Sequence, residues 1–305
     1  MRRALRARSY AKVNLGLEVL GPREDGYHEL RTLFQTVDVH DDVVLRPRRR
    51  DVVVRCDHPL VPTDATNLAA RAAESLRRHA GVEAGVEIAI HKRIPVGGGL
   101  GGGSSNAATV LLGLDRLWGL GLPSAELHRL ARRLGADVPF FLLGGTALGL
   151  ARGDEVYPLR RQIRSHLVIA DPGIPVSTAR VFARVDAGLT PRTNSNSIFY
   201  FVSRELEGAD EAAYRLLVND LEDAAMAEAP ALRERAGRIR DVLLGEGAQH
   251  VALSGSGSSL FGLFGGARAA RRAAAALESE GTRALAARTL SLDEYWRPWA
   301  RPRAR

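Results

Sequence analysis

Pro95-Val96-Gly97-Gly98-Gly99-Leu100-Gly101-Gly102-Gly103-Ser104-Ser105-Asn106 places six glycines in the seven positions 97–103. Glycine adopts positive φ freely and lets a ligand approach with no side chain in the way, so consecutive amide N–H groups can converge on one anion. Ser104, Ser105 and Asn106 offer N-caps for a helix over 104–117, which sets a helix N-terminus at the end of the loop. The apolar run 86–90 just upstream reads as a strand. Strand, glycine loop and capped helix together describe a phosphate cradle rather than a flexible linker.

Two familiar phosphate loops do not fit. A Walker loop needs a lysine directly after its last glycine, and Ser104 stands there. A dinucleotide fold needs the helix to return to a parallel strand ending in an acidic residue, whereas the helix over 104–117 is followed by another over 124–134.

Outward from the loop, the first ninety residues read mainly as strands: 7–20, 30–39, 43–45, 52–54 and 86–90, with an amphipathic helix over 67–79. Gly21-Pro22-Arg23-Glu24-Asp25-Gly26 supplies turn chemistry between the first two. Gly135-Ala136-Asp137-Val138-Pro139 breaks the helical pattern after 134. Strands are expected over 145–150 and 166–170, then helices at 178–185 and within 209–244, a strand at 250–253, a helix at 267–277 and a last strand near 282–289. At 305 residues, two lobes are expected, 1–160 and 161–290, with 291–305 a basic tail.

No run approaches the ~20 apolar residues that span a bilayer. No apolar segment follows the basic start, and the single Cys56 suits a reducing compartment, so a cytoplasmic protein with no membrane partner is expected. The net charge of +8 raises nucleic-acid binding, but the basic residues are scattered and aromatics make up only 6% of the chain. A positive field equally attracts an acidic small molecule. Of the 43 cationic residues only Lys12 and Lys92 are lysines, so either position can mark a need for a compact ammonium on a flexible stem or chance survival. His40, His58, His79, His91, His128 and His250 have no metal-ligand spacing with Cys56 or each other.

The glycine loop resembles the ATP-binding loop of the galactokinase, homoserine kinase, mevalonate kinase and phosphomevalonate kinase (GHMP) superfamily. Its expanded glycine pattern resembles one family within it, the kinases of 4-diphosphocytidyl-2-C-methyl-D-erythritol. Ala11-Lys12-Val13-Asn14-Leu15, Gly26-Tyr27-His28-Glu29-Leu30 with Leu33-Phe34-Gln35, and Gly135 to Phe141 resemble the same family, as do Asn219-Asp220-Leu221-Glu222 and Leu253 to Ser259. The resemblance covers roughly residues 9–290. It implies an α+β, two-lobed GHMP kinase fold, with a ribosomal-protein-S5-like N-terminal lobe and a ferredoxin-like C-terminal lobe, ATP and substrate meeting in the cleft. It further implies ATP-dependent phosphorylation of the substrate's 2-hydroxyl in non-mevalonate isoprenoid biosynthesis, with Pro95 to Ser105 binding ATP. The rivals are another GHMP kinase, acting on mevalonate, homoserine or a sugar, and a basic RNA-binding protein.

By that resemblance Asp137 is the base or hydroxyl-orienting residue; read alone, its Gly-Ala-Asp context favours a turn or N-cap aspartate. Lys12 and Asn14 share one face of the first strand, opposite Val13 and Leu15, and a face with those two side chains suits a site floor better than a core. Lys12 is then expected to pair with Asp137 and stabilise the moving phosphoryl group; an edge-strand surface lysine is the alternative. Tyr27 and His28 suit stacking on and hydrogen-bonding the cytosine. Phe182 resembles the ring covering the other face of the base, with Thr178 beside it, though a helical phenylalanine is commonly core. Gly255 and Ser256 either meet the substrate's phosphates or form a tight turn. Mg2+ is expected with ATP, with Ser104, Ser105, Glu222 and Asp137 as undecided ligand candidates. Monomer and homodimer both remain open.

Overall fold

Two long strands organise the N-terminal half: β1 (Leu5–Pro22) and β2 (His28–Arg48) pair antiparallel along nearly their whole length. The turn between them closes where Arg23 N donates to Tyr27 O at 2.7 Å. β2 runs through the polar segment Asp38 to Asp42, which breaks the apolar alternation and suggested two separate strands. It can do so because the fully buried Asp41 is satisfied: its carboxylate accepts from Lys92 Nζ and from the backbone N–H groups of Arg93 and Ile94.

The computed structural model describes residues 4–186, 188, 197–207, 214 and 217–299. After β2 come β3 (Val52–Cys56), α1 (Leu68–Ala80), β4 (Gly85–His91), α2 (Gly102–Trp118), α3 (Ser124–Leu134), α4 (Val138–Phe141), β5 (Thr146–Leu150) and β6 (Glu155–Pro158). They complete a six-stranded sheet of order β3-β4-β2-β5-β6, with β1 on the free edge of β2. Helices α1 to α4 cover one face, where Leu45, Ile88, Leu76, Leu111 and Phe140 form the core. The short α4 was not anticipated after the breaker sequence, but Pro139 sits in its first turn, where no amide donor is needed.

The second lobe adds β7 (His166–Asp171), α5 (Thr178–Asp186), α6 (Ser197–Glu207), α7 (Glu222–Glu228), α8 (Pro230–Gly245), β8 (His250–Leu253), β9 (Leu260–Phe264), α9 (Ala267–Ser279), β10 (Arg283–Arg288) and α10 (Leu292–Trp296). Its sheet is four-stranded and antiparallel, in the order β10-β7-β9-β8. Of the helical stretch expected over 209–244, residues 209–213, 215 and 216 lie outside the described residues.

The lobes share material. Leu17 and Val19 of β1 pack into the core of the second lobe with Val168 and Leu253. Leu17 N donates to Val218 O at 2.8 Å, and Val19 N to Asp220 Oδ2 at 3.0 Å. A cut near residue 160 therefore describes the chain order but not the packing, since β1 serves both lobes. Nor does 291–299 trail as an appendage: Ser291 caps α10 with a full capping box, Tyr295 is buried, and Trp296 Nε1 donates to Leu143 O at 2.8 Å. Residues 300–305 lie outside the described residues.

Candidate active site

The glycine loop turns into α2 two residues earlier than expected. Its N-cap is Gly101, not a residue of the Ser104-Ser105-Asn106 trio, and no side chain caps the helix. Gly101 has φ +67°, and a β-carbon there would come within 2.8 Å of the Phe141 ring and 3.1 Å of Lys12 Cγ, so only glycine fits. The first backbone bond of the helix runs from Ser105 N to Gly101 O at 2.8 Å, which leaves the preceding N–H groups of the first turn without intrahelical partners, as at any helix start. That end presents donors and a positive dipole to an anion.

Ser105 does not face the loop's ligand side. It is fully buried, its hydroxyl accepting from Ser9 Oγ at 2.7 Å, and Asn106 Nδ2 bonds both Ser9 and Asp41. The expected capping serine and asparagine instead tie α2 to β1 and β2. Pro95 and Leu100 are also buried, Leu100 giving its carbonyl to Lys12 N at 3.0 Å. They shape the loop, as does the buried Gly98, whereas Val96 and Gly97 remain exposed.

Lys12 and Asn14 stand side by side as the strand alternation requires, with Val13 and Leu15 in the core on the opposite face. Lys12 is only 3% exposed; its Nζ donates to Asn14 Oδ1 at 2.5 Å and lies 3.3 Å from Asp137 Oδ2. Asn14 Nδ2 in turn donates to Thr32 Oγ1 at 2.7 Å, which donates to Gly16 O. This relay fixes the amide so that its oxygen faces the ammonium. Asp137 occupies the N-cap position of α4 but makes no cap hydrogen bond, and its side chain is 32% exposed. A turn aspartate spending its carboxylate on the backbone would look different; this one is held by Lys12 and open to solvent.

From the other lobe, the loop between β8 and β9 closes on the same spot. A β-carbon at Gly255 would lie 3.1 Å from Asn14 Oδ1 and 3.5 Å from Lys12 Nζ. Ser254 Oγ donates to Gly99 O at 3.0 Å, and Ser259 N to Gly98 O at 3.2 Å, so the two glycine loops are stitched together. Asn219 Nδ2 holds the second loop through Leu253 O and Gly255 O at 2.9 and 2.7 Å. Ser256 Oγ pairs with Thr178 Oγ1 at 2.7 Å at the start of α5. The loop is thus both a tight turn and a wall of the cleft. Asn219 belongs to a quoted motif, but nothing in its sequence neighbourhood marks it as the clamp.

His28 and Phe182 do meet, stacked on one another with centroids 4.8 Å apart and planes at 28°. His28 Nε2 bonds Asp186 Oδ1 at 2.8 Å. Tyr27 is 54% exposed, and Arg152 Cζ sits 4.7 Å from its ring centre. Phe182 therefore pairs with His28 rather than facing Tyr27 across an open slot. Arg152 also bonds the buried Asp154 at 2.7 Å, joined there by Arg132. Burial disfavours the Asp154 charge, but the two guanidinium groups outweigh it and hold the carboxyl below its usual range. Asp186 and Arg152 were missed because the contacts come from elements over a hundred residues apart in sequence.

The second lysine has a different post. Lys92 Nζ pairs with Asp41 Oδ2 at 2.5 Å, both groups buried, and lies 3.0 Å from where a β-carbon of Gly102 would stand. It supports the first turn of α2 from beneath. Glu222 is engaged by Arg240 and by Leu253 N. Among the described residues no group of three His, Cys, Asp or Glu side chains forms a metal cage.

This arrangement can hold a polyphosphate at the α2 N-terminus and present one ammonium and one carboxylate to the group at its end. The profile described as GHMP kinases N terminal domain matches residues 67–145, and that of GHMP kinases C terminal matches 200–283. A 4-diphosphocytidyl-2-C-methyl-D-erythritol kinase of Gloeobacter violaceus is 43% identical over 269 residues, 86% of each chain. One from a Geobacter species is 42% identical over 282 residues, covering 92% of this chain and 97% of its own. A crystal structure of 4-(cytidine 5'-diphospho)-2C-methyl-D-erythritol kinase superposes with a TM-score of 0.76 at 40% identity, over 93% of this chain and 99% of that one.

Proposed function

The chain belongs to the 4-diphosphocytidyl-2-C-methyl-D-erythritol kinase family of GHMP kinases, and on that basis we propose that it moves the γ-phosphate of ATP to the 2-hydroxyl of 4-diphosphocytidyl-2-C-methyl-D-erythritol. The observation that carries the proposal is the Lys12–Asp137 pair at 3.3 Å, set against Gly101 of one glycine loop and Gly255 of the other. Phosphoryl transfer through a loose transition state asks for in-line positioning and neutralised charge more than for covalent chemistry. Asp137 orients the acceptor hydroxyl and takes its proton as the new O–P bond forms and the bond to ADP breaks. Lys12, fixed by Asn14, meets the charge on the moving group. The α2 N-terminus and the loop amides hold the phosphates that stay with ADP.

Mg2+ fits the donor set as a metal carried by the triphosphate. Asp137 offers a partly exposed hard oxygen and Ser104 a half-buried hydroxyl at the helix start, whereas Ser105 and Glu222 are committed elsewhere. When bound, the ion shields phosphate charge; a protein supplying one or two ligands is the usual arrangement for magnesium with a nucleotide. The free Cys56 thiol supports a reducing, cytoplasmic setting, and among the described residues no helix is long and apolar enough to cross a membrane.

Tyr27, His28 and Phe182 are proposed to take the cytosine, with Thr178 and Ser256 at the second lobe's side of the substrate. Tyr27→Ala is expected to raise the KM for the cytidyl substrate about tenfold, the loss of ~1.4 kcal/mol of base stacking. Steady-state kinetics with each substrate varied in turn checks it, and a larger rise for ATP would remove Tyr27 from the cytidyl subsite.

A further inference from the structure

The four residues of α4 carry Asp137 at their start and end in carbonyls that a helix cannot satisfy itself. The last of these carbonyls, on Phe141, and that of Leu143 two residues past the helix are both taken by the C-terminal helix α10. Tyr295 Oη donates to Phe141 O at 2.5 Å, and Trp296 Nε1 donates to Leu143 O at 2.8 Å. The Tyr295 ring is buried and packs against Gly144, where a β-carbon would stand 2.3 Å from it. Burial, and then the nearby Tyr10, push the phenol above its ordinary range, so it keeps the proton it donates.

Helix α10 is itself firmly seated. Ser291 and Glu294 form its capping box, Arg288 pairs with Glu294 at 2.6 Å, and Leu290 N and O bond Thr36 and Gln35 of β2. The backbone N–H of Ser291, then the Arg288 guanidinium and the Ser291 hydroxyl, working against some burial, hold the Glu294 carboxyl down to about 2. On its other side α4 rests on the phosphate loop and the strand floor. The Phe141 ring fills the space under Gly101, and Phe140 stacks on Phe34 at 4.7 Å, whose ring lies 5.6 Å from Lys12 Nζ. An element about 6 Å long transmits a tilt at one end to the other.

We propose that α10 is a positioning clamp for the catalytic turn, with Tyr295 the positioning residue that sets the height of Asp137 against Lys12 by holding the far end of α4. The inference rests on the reading of Asp137 as a catalytic residue. Neither Tyr295 nor Trp296 touches the reacting groups, so the clamp acts on kcat while leaving both subsites for binding intact.

The test is a cycle on the full-length enzyme with Tyr295→Phe, Asp137→Asn and the double variant, measured well below the unfolding temperature. Tyr295→Phe keeps the ring and removes one hydrogen bond. It is expected to lower kcat about tenfold, a part of the ~100-fold that an ångström of misplacement costs, with both KM values within about twofold of wild type. In the Asp137→Asn background the same change is expected to add nothing further. Trp296→Phe is expected to behave in the same sense should Tyr295→Phe fold poorly. An unchanged kcat for Tyr295→Phe, or an equal loss whether or not Asp137 is present, overturns the clamp while leaving Asp137 in place. Full turnover by Asp137→Asn alone overturns the reading of Asp137, and the clamp with it.

Discussion

Asp137→Asn is expected to lower turnover by about 100-fold or more while ATP affinity stays within about twofold, because general-base help is worth roughly 10²–10⁴. The change is nearly isosteric. It leaves an oxygen for Lys12 to contact but removes the charge and the proton acceptor. The fold should absorb it, since Asp137 makes no cap hydrogen bond and its side chain is 32% exposed. Single-turnover rates together with equilibrium binding of ATP separate the two effects. Wild-type turnover in this variant would take Asp137 out of the mechanism.

Lys12→Met is expected to cost about 10²–10³ in kcat, the scale found when one preorganised donor to a developing charge is lost. Methionine keeps the apolar stem, which matters because the lysine stem runs between the Phe34 ring and Gly101. Lys12→Arg is expected not to restore the rate: the ammonium sits buried at 3% exposure between Asn14 Oδ1 at 2.5 Å and Asp137 Oδ2 at 3.3 Å, and a larger planar fork does not reproduce that placement. Pre-steady-state phosphate transfer at saturating ATP measures this directly. A Lys12→Met variant losing ATP affinity but not rate would assign the lysine to binding alone.

Local chemistry made much of this site readable from the chain. The glycine density at 97–103 signals backbone designed to meet an anion, and strand alternation alone puts Lys12 and Asn14 on one face. What could not be read depends on contacts between distant segments. Ser104, Ser105 and Asn106 have the composition of a helix cap, yet Gly101 wins that place because its left-handed φ lets the loop enter α2 directly, and the freed Ser105 and Asn106 are drawn into the buried network around Ser9 and Asp41. Tyr295 and Trp296 sit in a stretch whose arginines and prolines resemble a loose basic tail. Their role appears only once the folded chain brings Phe141 and Leu143 within reach of a donor. Likewise Phe182, a helical phenylalanine by sequence, finds its partner in His28, from the other lobe.

The most direct test of the central claim is ADP release by the purified enzyme with ATP and, in parallel, 4-diphosphocytidyl-2-C-methyl-D-erythritol, mevalonate or homoserine as acceptor. Saturable ADP release is predicted with the cytidyl acceptor alone, abolished to the stated extents by Asp137→Asn and Lys12→Met. No release with the cytidyl acceptor, or faster release with either of the others, would contradict it.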